Sequence, residues 1–257
     1  MTEPRQPEHR WLILSLEGPL LAFGGVTIDH VGLTRDFPAA SMLTGLFANA
    51  LGYRRSDWMA HQSLQDRLIF AARREREPMV GILTDSQNAK LEKNDRGWTT
   101  WGVAEERAGA SYDAPHRRKR DYHMDASVTV VLRLAPPEKP DDRTSPDLDA
   151  LAHALDHPHR PLFIGRKPCL PAGRVVGIRH NDSSLDFVTA PSAYEALRRV
   201  PAASEQRAIW PRGEGPEAGR MADRIVDLPD LRNWRTGLHG GVRQIVEGRI
   251  ETGSEAA

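Results

Sequence analysis

The 257 residues balance 35 Lys and Arg against 35 Asp and Glu, are 39% hydrophobic and contain one cysteine, with a mean hydropathy of −0.52. No apolar run approaches the ~18 residues of a membrane span, and one cysteine excludes an internal disulfide and argues against a thiolate zinc site. The length allows one large domain or two small ones with a real core, and the start, MTEPRQPEHR, has acidic residues and prolines where a secretory signal needs apolar ones, so a cytoplasmic location is expected.

In chain order, RWLILSL at 10 to 16 reads as a buried strand that breaks at Gly18 and Pro19. After DFPAAS, Ser41 is a fitting N-cap for MLTGLFANALG, whose Leu43, Leu46, Phe47, Ala50 and Leu51 share one helical face, and Gly52 closes that helix. A short helix is expected over 56 to 66, then strands at RLIFAARRE and MVGILTD. The irregular stretch from Ser86 to Arg120 is too long for an ordinary loop and reads as a protruding hairpin or arm. DYHMDASVTVVLRL at 121 to 134 returns as a strand, with Val128, Val130 and Leu132 alternating with Thr129, Val131 and Arg133. PPEKPDDRTSP is a linker, and PDLDALAHALDH an amphipathic helix with Asp147 and Asp149 near its positive end. Beyond Lys167 the pattern weakens to β-like pieces (RVVGIRH, DRIVDLP, GVRQIVEGRI) and a short helix near PSAYEALRRV.

The order β-α-β-β-arm-β-α approximates a ferredoxin-like α+β sheet with one elaborated loop. Two regions follow, 10–135 including an arm at 86–120, and 145–250 with a smaller, β-rich C-terminal part.

The catalytic inventory is thin: no GxxxxGK, no GxGxxG opening a helix, no HExxH, no GxSxG, and no third ligand beside His157 and His159. No cofactor is expected. Cations are the stronger signal. Between His157 and Asn181 stand five Arg or Lys residues and no acid, and in RPLFIGRKPCLPAGRVV Arg166 and Lys167 precede Pro168, which holds Lys167 extended so that both side chains should project outward. In the arm, Arg96, Trp98, Trp101, the run Arg117, Arg118, Lys119 and Arg120, and Tyr122 combine charges for phosphates with rings for bases. The same arm also fits a solvated surface, because Lys90, Lys93 and Arg96 alternate with Glu92 and Asp95.

Four segments in register carry a family resemblance. DFPAASMLTGLFANALGYRRSDW at 36 to 58 resembles the DFPTKSG-x-x-GLL-x-x-ALG-x-x-R-x-D signature of the CRISPR Cascade CasD family of type I-E complexes. RDYHMDASVTVVLRL is similar to its R-x-Y-x-x-DA-x-F-x-V strand, the turn at 160 to 176 to its P-L-Y-L-G-R-K-S-C-P-P, and Asn233-Trp234 to Val242 to its closing R-x-W segment. The resemblance implies an RRM-related, ferredoxin-like domain with a long β-hairpin thumb. It implies an RNA-binding subunit without catalysis that grips the 5′ handle of CRISPR RNA. Its implied partners are the Cascade backbone subunits, the large subunit and target DNA near the guide boundary. Ser41, Arg166, Lys167 and Arg117 to Arg120 are the positions it points to. The family's basic residue in FPTKSG is Ala40 here, with Arg35 as the nearby replacement, which leaves a phosphate the Ser41 hydroxyl and the helix N–H groups. The alternative is a metal-independent endoribonuclease using His116, Lys119, Tyr122 and His123.

Overall fold

The computed structural model describes residues 7–25, 27–77, 81–90, 97–98, 104–105, 116–138, 145–180, 183–202 and 204–251. The strands are β1 (His9–Leu21), β2 (Thr27–Ile28), β3 (Val31–Gly32), β4 (Leu68–Arg76), β5 (Ile82–Ala89), β6 (Gly97–Trp98), β7 (Ala104–Glu105), β8 (His116–Leu134), β9 (Ile178–His180), β10 (Ser183–Leu185), β11 (Phe187–Ala190), β12 (Gln206–Pro211), β13 (Ala222–Leu228) and β14 (Arg243–Ile250). The four helices are α1 (Ala40–Ala50), α2 (Trp58–Arg67), α3 (Leu148–Asp156) and α4 (Ala193–Arg199). The molecule is a mixed α+β protein built on a ten-stranded sheet whose main path runs β11-β1-β8-β4-β12-β14-β13, so strands from both halves of the chain share one sheet.

Alternation along the central strands buries both faces. Leu12, Leu14 and Leu16 of β1 join Val128, Val130 and Leu132 of β8 under α1 and α3, while Trp11, Ile13 and Val131 pack with Ala193, Leu197 and Trp210 on the other side. Each such fully buried side chain contributes roughly 1.5–3 kcal/mol, which is why this antiparallel centre holds the fold. The expected break at Gly18 and Pro19 does not occur, since β1 runs on to Leu21 with Gly18 opposite Ala126 and Leu20 opposite Met124. Gly18 marks a close approach instead: a Cβ there would meet the Leu170 carbonyl oxygen at 2.7 Å.

The arm leaves the body as a hairpin. β5 pairs antiparallel with the first half of the 19-residue β8, from Ile82 opposite His123 to Ala89 opposite His116, and β6 pairs with β7 beyond it. β5 is exposed along almost its whole length, so it contributes little to the core. No helix among the described residues is long and apolar enough to cross a membrane.

Candidate nucleic-acid interface

An open groove of about 1060 Å³ runs between α1, the start of α2, the 163–167 turn and the 232–239 loop. Six cations line it, Arg55, Arg160, Arg166, Lys167, Arg232 and Arg235, and no Asp or Glu does among the described residues. Trp58, Trp234, Tyr53 and His61 add aromatic surface to the same wall. In a chain with equal numbers of acids and bases, this concentration of one sign with flat rings suits a polyanion carrying bases.

Local structure holds these groups in place. The Asp57 carboxylate accepts from Arg54 N–H at 2.8 Å and fixes the entry to α2. One turn on, His61 stacks against Trp234 with ring centroids 4.7 Å apart. The 231–240 segment closes on itself, with Asn233 N–H donating to Leu238 O and Gly237 N–H to Asn233 O, and Arg232 bridging to His239. Arg235 lies over Trp58 at 5.8 Å and Arg232 over Trp234 at 5.1 Å. Burial and then Arg55 push the Arg232 guanidinium below its usual value, although it stays a cation at neutral pH. Burial, then Arg232 and Arg35, also push His239 down, which keeps it a neutral imidazole there.

The two turn cations part company. Lys167 is exposed, as expected, but Arg166 folds back instead of projecting outward. Its guanidinium donates to Asp121 O at 2.8 Å, Gly32 O at 2.9 Å and Leu33 O at 3.1 Å, and lies 5.1 Å from the Tyr122 ring. Those carbonyls need donors, and a planar fork satisfies several at once, so Arg166 ties the turn to β3 and β8. Gly165 makes the turn possible: at φ +89° a Cβ would collide with Ala22 O at 1.7 Å. The cationic run around this turn is also less bare in space than in sequence. Arg174 is paired with Asp156 and Asp186, and Arg160 donates to Tyr53 O and Gly52 O.

Three further expectations change. Ser41 is the second helical residue rather than the N-cap, which is Ala39 with no side-chain cap. Asp230 caps from a distant loop: its Oδ2 accepts from Ala40 N–H at 2.9 Å and its carbonyl from Ser41 N–H at 3.1 Å, so the helix N–H groups proposed for a phosphate are already taken. Ser41 remains on the groove wall. Arg35 points elsewhere, donating to Pro229 O at 2.7 Å, and lines a smaller apolar cavity with Leu33 and Phe37. Tyr122 is 4% exposed, packed in the core beneath Arg166, and offers no open face to a base.

On the thumb, Arg117, Arg118 and Lys119 are exposed, while Arg120 is half-buried and donates to Lys119 O. β3 runs parallel to β8 here, Val31 opposite Lys119 and Gly32 opposite Arg120, so the cationic stretch begins where the groove wall ends at Arg166. Trp98 is placed only as part of β6, and Arg96 and Trp101 lie outside the described residues. Arg55, Trp58, Arg232, Trp234, Arg235 and His239 were missed as site residues. LRNWRTGLHGGVRQIV carries the signal that would have found four of them, since cations and a tryptophan stand there without a carboxylate before Glu247.

Residues 11–246 match the profile of the family described as CRISPR-associated protein (Cas_Cas5). A curated relative, the CRISPR system Cascade subunit CasD of Escherichia coli strain K12, is 29% identical over 159 residues. That match takes in 62% of this chain and 66% of the relative, a little under two thirds of its length. Among solved structures, a chain of a CRISPR RNA-guided surveillance complex superposes with a TM-score of 0.63 at 23% identity, over 95% of this chain and 91% of the other. A second, a crystal structure of a Cas protein, gives 0.52 at 22% identity over 94% and 95%.

Proposed function

The chain belongs to the CRISPR-associated protein (Cas_Cas5) family, and on that premise we propose that it is a non-catalytic RNA-binding subunit of a type I-E Cascade complex. It grips the 5′ handle of CRISPR RNA in the cationic groove, with the thumb crossing the guide where the handle ends. The carrying observation is the groove itself, lined among the described residues by six cations and two tryptophans and no acid, and continuous through Arg166 with the cations at the thumb base. Phosphates meet the exposed Lys167, Arg55 and Arg235 at its rim, and bases meet the rings behind them. Exposed Arg117, Arg118 and Lys119 then follow the strand toward the thumb.

The strand order β11-β1-β8-β4, with helices after the first and third of these in sequence, supports reading the N-terminal sheet as ferredoxin-like and RRM-related. The partners are those of the family likeness: backbone subunits, the large subunit and target DNA near the guide boundary, in the cytoplasm. Two of the four groups named for the cleavage alternative are out of reach. His123 is 3% exposed with Nε2 on Arg35 O, and Tyr122 lies under Arg166, so neither reaches a scissile phosphate.

The test is anisotropy of a labelled repeat-derived 5′ handle RNA over a salt series, comparing wild type with a Lys167→Glu, Arg235→Glu double variant. Arg166 is left intact because reversing it would break the turn. The double variant should bind at least about tenfold more weakly, with a log–log salt slope shallower by roughly 0.7 for each phosphate that no longer meets a cation. Equal affinity and slope would refute the groove as the RNA site.

A further inference from the structure

Arginines that serve the fold in this molecule are drawn onto oxygen acceptors, carboxylates as in Arg243 on Asp230, or backbone carbonyls. Arg160 donates to two, Arg166 to three, and the fully buried Arg73 to Leu197 O, Val200 O and Pro201 O. Arg232 departs from that pattern. Its Nε is cut off from solvent and has no hydrogen-bond partner among the described residues; Arg35 and Arg133 share an unpartnered Nε, but their guanidiniums donate to Pro229 O and Glu214, whereas the charge of Arg232 stands against that of Arg55. A buried donor without an acceptor, repelled by its neighbour, is poorly explained by folding alone.

The backbone around it is nonetheless rigidly fixed. Gln65, 3% exposed on α2, accepts from Arg232 N–H at 3.1 Å through Oε1 and donates to Arg232 O at 3.0 Å through Nε2. The same Oε1 accepts from the Trp234 indole at 3.0 Å, and Gln62 accepts from Trp234 N–H at 3.2 Å. One buried amide thus fixes the backbone from which Arg232 extends and the indole beside it, which is how a recognition group is organised before its ligand arrives.

Resting on the RNA reading of the groove, we propose that Arg232 is its base-reading residue, contacting a base edge that bears carbonyl acceptors, and that Gln65 is its positioning residue. Depth decides between base and phosphate. A phosphate keeps to the solvated rim, where exposed Lys167, Arg55 and Arg235 stand, whereas a base enters edge-on against a flat wall such as Trp234. Arginine has donors only, so it suits the acceptor edges of uracil, cytosine or guanine and is mismatched to adenine, which sets an amino donor beside N7.

The experiment is anisotropy with labelled U12, C12 and A12 RNA at one salt concentration, on the full chain and on Arg232→Lys, which keeps the charge and loses the fork. Arg232→Lys should weaken U12 and C12 on the order of tenfold and leave A12 within about twofold. Gln65→Leu should remove the same preference. Equal weakening of all three RNAs would make Arg232 a phosphate contact and overturn the assignment while leaving the groove reading standing, and no weakening of any would overturn it too. Failure of the wild type to bind any of the three would defeat the groove reading itself and this inference with it. Loss of preference in Arg232→Lys but not in Gln65→Leu would refute the positioning role.

Discussion

Single side chains carry unequal duties here, and sequence distance hides which. Asp230 is fully buried, pairs with Arg243 at 2.8 Å and caps α1 from 190 residues away. Replacing Asp230 with alanine strands that guanidinium over Phe70 and leaves Ala40 N–H without an acceptor, so urea unfolding should show a loss of about 3–5 kcal/mol. His123 makes a second prediction. Its Nε2 donates to Arg35 O at 2.7 Å, Nδ1 has no partner, and burial pushes its pKa below the ordinary imidazole value. A base depressed on folding contributes stability above its unfolded pKa and loses it as pH falls below that point, by at most about 1.4 kcal/mol per pH unit below ~6.5. Denaturation midpoints from pH 7.5 to 5.5 should therefore fall more steeply in the wild type than in His123→Gln, and parallel curves would refute it. The sequence showed Arg166 and Lys167 as a matched pair, because adjacency reveals charge but not which of two cations finds carbonyls to satisfy. Arg232 escaped notice for the converse reason, being one cation in a loop whose partner, Gln65, is remote in the chain.

At the scale of elements, the thumb base is a hairpin whose β5 strand is almost entirely exposed. Because Ala89 and His116 are paired, a short glycine turn replacing residues 90–115 closes the ladder without altering the core. Its melting temperature should stay within a few degrees of wild type, while affinity for handle-plus-guide RNA falls, and a collapse in stability would show that the arm belongs to the core. Much at this scale was legible. The helices at α1 to α4 lie close to where apolar spacing and punctuation put them, and Asp147 caps α3 through Ala150 N–H. Alternation gave away β8, and RLIFAARRE, expected as a strand, is β4. The errors follow from tertiary override: Gly18 and Pro19 read as a stop, yet opposite Asp125, at φ +43°, the ladder absorbs them. RVVGIRH shrank to β9 plus the isolated Leu14–Val176 bridge. QRAIWP, unremarked in the sequence, is β12, which joins β4 to β14.

Over the whole molecule, the groove exists only because the sheet brings four distant segments together: α1, the entry to α2, the 160–167 turn and the 232–239 loop. Family likeness ran over all four, but no local pattern states that they share a wall, and the stretch at 157–181 that looked most cationic has Arg174 neutralised by Asp156 and Asp186. Convergence of charge also predicts linked protonation. Burial, Arg232 and Arg35 push His239 down, and a phosphate bound in the groove opposes that push, so RNA binding should take up a proton at His239 and tighten as pH falls, and His239→Gln should weaken that dependence. Tightening undiminished in the variant would assign it to another group. The most direct measurement is ultraviolet cross-linking of the assembled complex on its guide RNA, with the attached peptides identified by mass spectrometry. Handle nucleotides are predicted on peptides containing Trp58, Trp234 or His239. Handle cross-links confined to peptides outside the groove and the thumb would contradict the account.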